Sequence, residues 1–181
     1  MKILKLTLIL FLVCAITAGV LGGINQLTYE RIEEQNRIKT QRAYAAVLAS
    51  DGYEELAFDK AAFPTVDSIN RCTNGAGYVV TTTFSGAQGS ITMAVGVDND
   101  YLCTGISIIK HSETSGLGAN AASASETGVN WRAQFVGQAR DMAITKAGGD
   151  IEVLAGATIT SRTVTNAAAT AIDAVKALVE G

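Results

Sequence analysis

Residues 150–163 read DIEVLAGATITSRT, a short apolar run that enters a turn of small residues and leaves it into a stretch with helical periodicity. Ala155, Gly156 and Ala157 form the turn, and hydroxyls follow at Thr158, Thr160 and Ser161. A helix start presents unpaired backbone N–H groups and the positive end of the helix dipole, and side chains this small let an anion approach the main chain. The chemistry on offer is phosphate binding, with the hydroxyls as further donors. At this level two readings stand: an anion site, or a set of helix-capping hydroxyls.

A second stretch, His111 to Gly118 (HSETSGLG), is polar and glycine-rich. His111 is the only histidine, so a multi-histidine metal centre is excluded, and its expected part is a hydrogen bond within the loop. Gly116 and Gly118 are expected to serve backbone conformation. Trp131 and Phe135, at i and i+4, are expected to be a packed pair rather than a stacking platform. Asp98-Asn99-Asp100 lacks the ordered spacing and distal glutamate of a calcium loop and is read as a hairpin turn. Cys72 and Cys103 are either two separate buried thiols or, in an oxidising compartment, a disulfide; no second close ligand suggests a metal at either. No catalytic residue and no metal ligand is assigned.

These groups need elements to hold them. Val164, Ala168, Ala171, Val175 and Leu178 fall on one face of a helix over Thr160 to Leu178. Gly77 to Phe84 is rich in β-branched residues, Ile91 to Val97 alternates, and Tyr101 to Lys110 alternates again, which predicts a three-stranded antiparallel meander. The stretch from Asp51 to Asn70, with the only proline, Pro64, reads as a short strand or loop connection. The expected fold class is α+β, a small antiparallel sheet with helices packed to one side, preceded by one N-terminal transmembrane helix.

That helix is the nineteen-residue run from Leu6 to Ile24, which carries no charge and spans about 28 Å at 1.5 Å per residue. Lys2 and Lys5 precede it, so the N-terminus is expected in the cytoplasm and the bulk of the chain outside, in a single-pass protein of the cell (inner) membrane in contact with lipid. A cleaved signal peptide shares the basic start, but the run is longer than the usual ~7–15 residues and no A-x-A site follows. Cys14 follows the bulky Phe11-Leu12-Val13 and reads as an apolar filler rather than a lipid acceptor. The expected domains are 1–28 as membrane anchor, 29–50 as helical connector and 51–181 as an extracytoplasmic domain. With 48% hydrophobic and 17% charged residues and a net charge of -3 over 181 residues, the composition argues against disorder and against a nucleic-acid partner.

LAGATITS at residues 154–161 resembles the S-G-A-T-x-T-S flavinylation motif of the FMN-binding domain family, found in the G subunit of Rnf electron-transport complexes and in the C subunit of the sodium-pumping NADH:quinone reductase. His111, Glu113, Thr114, Gly116, Leu117 and Gly118 match a second family element, H-x-E-T-P-G-L-G. Ala155 replaces the family's Ser or Thr, Ser115 replaces the Pro of the loop, and Glu152 stands where Asp is usual. The N-terminal anchor, the chain length and the segment NWRAQF between the motifs extend the likeness over nearly the whole chain.

The resemblance implies FMN bound covalently, by a phosphoester, to Thr158. The phosphate would lie against Ala155, Gly156, Ala157, Thr160 and Ser161, and the flavin ring near Glu113, Thr114, Gly116, Leu117 and Gly118. It implies a transferase of the ApbE type, which uses FAD and Mg²⁺ and releases AMP, and the other Rnf membrane subunits as partners. The chain would then be an electron-transfer subunit, without catalysis of its own, in a ferredoxin:NAD⁺ oxidoreductase that moves Na⁺ or H⁺. Two alternatives are a membrane-tethered anion-binding module without redox role and a flavinylated subunit of another extracytoplasmic reductase.

Overall fold

The computed structural model describes residues Lys2–Glu180. The chain forms two compact units, Met1–Lys39 and Thr40–Gly181. The first is made by helix α1 (Lys2–Val47), which continues into the second. Over Leu6 to Ile24 its side chains are exposed, and it is long and apolar enough to cross a membrane. The two threonines of that run, Thr7 and Thr17, donate their hydroxyls to the carbonyls of Ile3 and Val13, at 3.0 and 2.8 Å. Both polar groups are thus satisfied inside the helix, as an apolar surrounding requires.

The second unit is built on five antiparallel strands in sequential order: β1 (Tyr53–Leu56), β2 (Val66–Cys72), β3 (Gly77–Ser85), β4 (Ser90–Asp98) and β5 (Cys103–His111). The predicted meander is β3 to β5, and β1 and β2 extend it at the β3 edge. Asp98 turns the chain between β4 and β5: its Oδ1 accepts the N–H groups of Asp100 and Leu102 at 2.9 and 2.8 Å, and Tyr101 takes φ 59°. Helix α2 spans Glu126–Ala133 and helix α3 spans Thr158–Glu180.

Helix α3 lies on one face of the sheet because its apolar stripe is made of small residues. Val164, Ala168, Ala171 and Val175 are fully buried in one cluster with Val66, Ile69, Val80 and Val95 from β2, β3 and β4. Trp131 and Phe135 join the same cluster as an edge-on pair with ring centroids 5.1 Å apart, so the expected packing role holds.

The sheet's other face is covered too, which differs from the expected one-sided packing. The last turns of α1 place Ala43 and Val47 against Val79, Ala94 and Cys72. Gly96 and Gly105 stand directly opposite each other on β4 and β5. A Cβ at Gly96 would fall 2.8 Å from the carbonyl oxygen of Val47, so glycine is what lets the helix end come this close. The Thr104 hydroxyl donates to that carbonyl at 2.6 Å, and the Tyr44 hydroxyl lies 2.7 Å from Thr81 Oγ1 and accepts from Asn70 Nδ2 at 3.2 Å. The charge-rich sequence around Ala43, Tyr44 and Val47 hides this contact, since so few of its side chains carry it.

Cys72 and Cys103 are free thiols in different clusters, so of the two readings the separate buried thiols hold. Burial pushes the Cys103 thiol up to about 11 and raises that of Cys72 as well.

Candidate functional site

Three segments far apart in sequence meet at the N-terminus of α3: the β3–β4 turn, the loop after β5, and the turn of small residues that feeds the helix. Each is held by its own hydrogen bonds.

The loop after β5 folds back on Thr114, whose carbonyl accepts the N–H groups of Leu117 and Ala119, both at 3.2 Å. Gly116 takes φ 79°, a conformation that favours glycine, and its carbonyl accepts from Asn120 Nδ2 at 3.0 Å. His111 Nδ1 accepts the Glu113 N–H at 3.3 Å, which is the local hydrogen bond expected of it.

The segment leading to α3 is tied down residue by residue. Trp131 Nε1 donates to the Glu152 carbonyl at 2.7 Å, and the Glu152 N–H donates to Gln134 Oε1 at 2.8 Å. Ser161, fully buried, accepts the Leu154 N–H and donates to the Ala157 carbonyl, both at 3.0 Å. Gly156 closes the turn with φ 70°, where a Cβ would come within 2.9 Å of Leu117 Cδ2.

Between the segments lies a cavity of about 350 Å³. Its walls include Glu113, Thr114, Leu117 and Gly118 from the loop and Gly156, Ala157, Thr158 and Thr160 from the second motif. Both sequence motifs therefore face one space, which falls at the lower end of the ~300–1,000 Å³ usual for small-molecule sites. Gly116, Ala155 and Ser161 do not line it. Ser161 is the clip that holds the turn, and Ala155 borders a neighbouring cleft with Trp131 and Glu152.

Glu113 is the centre of the wall. Its Oε2 accepts the Thr160 hydroxyl at 2.5 Å and its Oε1 accepts the Gln88 N–H at 3.1 Å, so one carboxylate joins all three segments. Gly118 has to be glycine beside it, because a Cβ there would collide with Glu113 Oε2 and lie 2.6 Å from Thr160 Oγ1.

Thr158 is the first residue of α3 and lies at the cavity's edge, partly exposed. Lys146 Nζ donates to its Oγ1 at 3.0 Å. An ammonium, a hydroxyl and the open N–H groups of a helix start together form a donor set suited to a phosphate. Sequence reasoning missed Lys146, as well as Ala87, Gln88 and Ile159 in the wall. The lysine stands twelve residues ahead of Thr158 in an otherwise unremarked loop, and only the folded chain brings it in. The β3–β4 turn carries no motif of its own and reads in the sequence purely as a connection.

Comparison with known proteins covers both halves. Residues 86–173 match the model of the FMN-binding domain, and residues 1–47 match that of the RnfG N-terminal region. The G subunit of the Na(+)-translocating ferredoxin:NAD(+) oxidoreductase complex of Acetobacterium woodii is 34% identical over 188 residues, covering 91% of this chain and 87% of that protein. The G subunit of the ion-translocating oxidoreductase complex of Methanosarcina acetivorans is 41% identical over 106 residues, which are 58% of this chain and 54% of that one. Among solved structures, the C subunit of the Na(+)-translocating NADH-quinone reductase from Parabacteroides distasonis shares the fold, with a TM-score of 0.55 at 17% identity over 82% of this chain and 94% of that one. The FMN-binding match begins at Gly86, in the β3–β4 turn that helps wall the cavity, and the chain belongs to the family of the G subunits of Rnf ion-translocating oxidoreductase complexes.

Proposed function

We propose that this chain is the flavin-bearing electron-transfer subunit of a membrane ion-translocating oxidoreductase of the Rnf type, with FMN held through a phosphoester to Thr158. The observation that carries the reading is the shared cavity: two motifs about forty residues apart wall one space, and the hydroxyl of one stands at its edge beside an ammonium. Bound FMN would supply one- and two-electron redox chemistry, which the side chains cannot.

The residues have separable tasks in this reading. Thr158 and Lys146 hold the phosphate end, with the α3 N-terminus adding about 0.3–1 kcal/mol toward the remaining negative charge. Leu117 and Ile159 offer apolar surface to the ring, and Glu113 keeps the walls in register. Covalent attachment prevents loss of a cofactor from a site that opens to solvent. Attachment calls for a transferase of the ApbE type that reaches Thr158.

Residues 1–28 serve as the anchor in lipid and 29–50 as the connector to the flavin domain at 51–181, with the end of the connector, from Thr40 on, packed into the same compact unit as that domain. Lys2 and Lys5 favour a cytoplasmic N-terminus and an outward-facing domain. The partners are then the other Rnf membrane subunits.

The test is the full-length chain produced together with a flavin transferase and followed by intact mass and in-gel flavin fluorescence. Wild type carries the FMN mass and Thr158→Ala loses it while remaining folded. Fluorescence that survives in Thr158→Ala would overturn the assignment of the acceptor.

A further inference from the structure

We propose that Lys146 is the charge partner of Thr158, orienting its hydroxyl for flavin transfer and neutralising the phosphodiester that results; this rests on the reading of Thr158 as the acceptor. Lys146 Nζ donates to Thr158 Oγ1 at 3.0 Å. Among the described residues the ion pairs are Arg37–Glu34, Lys60–Asp67 and Arg140–Asp173, so no carboxylate claims the Lys146 charge.

The lysine is placed by its loop. It sits in a 3-10 turn, Thr145–Ala147, between Ile144 and Ile151, which pair as a parallel bridge and are both buried. The Thr145 N–H donates to the Ile151 carbonyl at 2.9 Å, and the Ile151 N–H donates to the Ala143 carbonyl at 3.1 Å. Gly148 takes φ 86°, and at Gly149 a Cβ would collide with the Ala143 carbonyl oxygen. A loop closed this tightly delivers Lys146 to the start of α3.

In the transfer, the Thr158 Oγ–phosphorus bond forms as the bridging phosphorus–oxygen bond of an FAD pyrophosphate breaks. AMP leaves with the electron pair, and the hydroxyl proton passes to a base of the transferase. The ammonium occupies one lone pair of Oγ and leaves the other free, which fixes the direction of attack. A phosphoryl group attacked by Thr158 Oγ would stand close to the same ammonium, which would stabilise the negative charge gathering on its oxygens and lower the barrier. In the ester, the same ammonium would neutralise the charge of the diester.

The experiment is a flavinylation time course on full-length chain with purified transferase, FAD and Mg²⁺, read by in-gel fluorescence, with thermal unfolding of each unflavinylated protein alongside. Lys146→Met is expected to slow the initial rate about tenfold at an unchanged melting temperature. Lys146→Arg restores most of that rate, because it keeps the charge. A Lys146→Met protein that is labelled at the wild-type rate overturns the proposal, as does a rate loss that Arg fails to rescue. Thr158→Ala is run in parallel: if it takes up flavin, the acceptor reading itself is what fails.

Discussion

Glu113 and Thr160, 47 residues apart in sequence, are both buried and share a 2.5 Å hydrogen bond across the wall of the candidate flavin cavity. The carboxylate also takes the Gln88 N–H. Glu113 therefore acts on the cavity through its walls, and the hydroxyl of Thr160 is spoken for.

Thr160→Val should leave Glu113 Oε2 without its donor in a buried place and cost about 1–3 kcal/mol. Under the proposed attachment at Thr158, covalent flavin should nevertheless persist, since that hydroxyl is untouched. Chemical unfolding and intact mass on the same protein check the two halves of this expectation.

The two loop glycines should respond differently. Gly116→Ala meets open space and bears only the strain of a positive φ, about 1 kcal/mol. Gly118→Ala drives a methyl into Glu113 and Thr160, so a larger loss of stability and a shifted flavin spectrum are expected. Thermal melts and visible spectra of the two variants side by side would expose a wrong ranking.

Thr82 Oγ1 is fully buried and has no hydrogen-bond partner among the described residues. Thr82→Val removes the desolvated hydroxyl at nearly constant volume, and a gain of about 1 kcal/mol is expected. A melting temperature that falls would show that the hydroxyl is satisfied in solution.

The buried Cys103 thiol predicts an alkaline weakness. Its folded value of about 11 lies above the ordinary 9.0, so the folded chain keeps a proton that the unfolded chain gives up. The contribution to stability is complete below pH 9 and is lost as pH rises toward 11, amounting to about 3 kcal/mol at 1.36 kcal/mol per pH unit. Cys72, also raised, pulls the same way. Stability measured against pH should decline less steeply over this interval for Cys103→Ala than for wild type.

Orientation in the membrane is checked by adding protease to intact, wall-stripped cells. Digestion of the domain after Tyr29 is expected, and its complete protection would overturn the proposed orientation.

Strands β3 to β5 were legible because β3 is rich in β-branched residues and because Ile91, Met93, Val95 and Val97 in β4 and Ile106 and Ile108 in β5 recur at every second position, and α3 because its small apolar residues keep one helical face. β2 was not legible: a register shift between Val66 and Ser68 breaks its period of two, and Asp67, Asn70 and Arg71 dilute its apolar residues. β1 is four residues long, with two exposed glutamates. At the site, the local signals of two motifs were readable in the chain. The bond between Glu113 and Thr160 and the reach of Lys146 were not, since contacts over 47 and 12 residues depend on how loops close and leave no periodic trace.

The docking of Val47 at Gly96 and Gly105 sets where the chain can be cut. A soluble fragment that starts at residue 51 loses Tyr44, strips the cover from Val79 and Ala94, and leaves Thr81 without that hydroxyl and Asn70 with Ser68 alone as hydroxyl partner. Such a fragment presents an apolar sheet face and is prone to aggregate. A fragment that starts just ahead of Thr40 keeps that cover and still omits the whole apolar run. For production of the domain in water, and for any protease that would shed it from a membrane, the permissible cleavage window lies between residues 29 and 39.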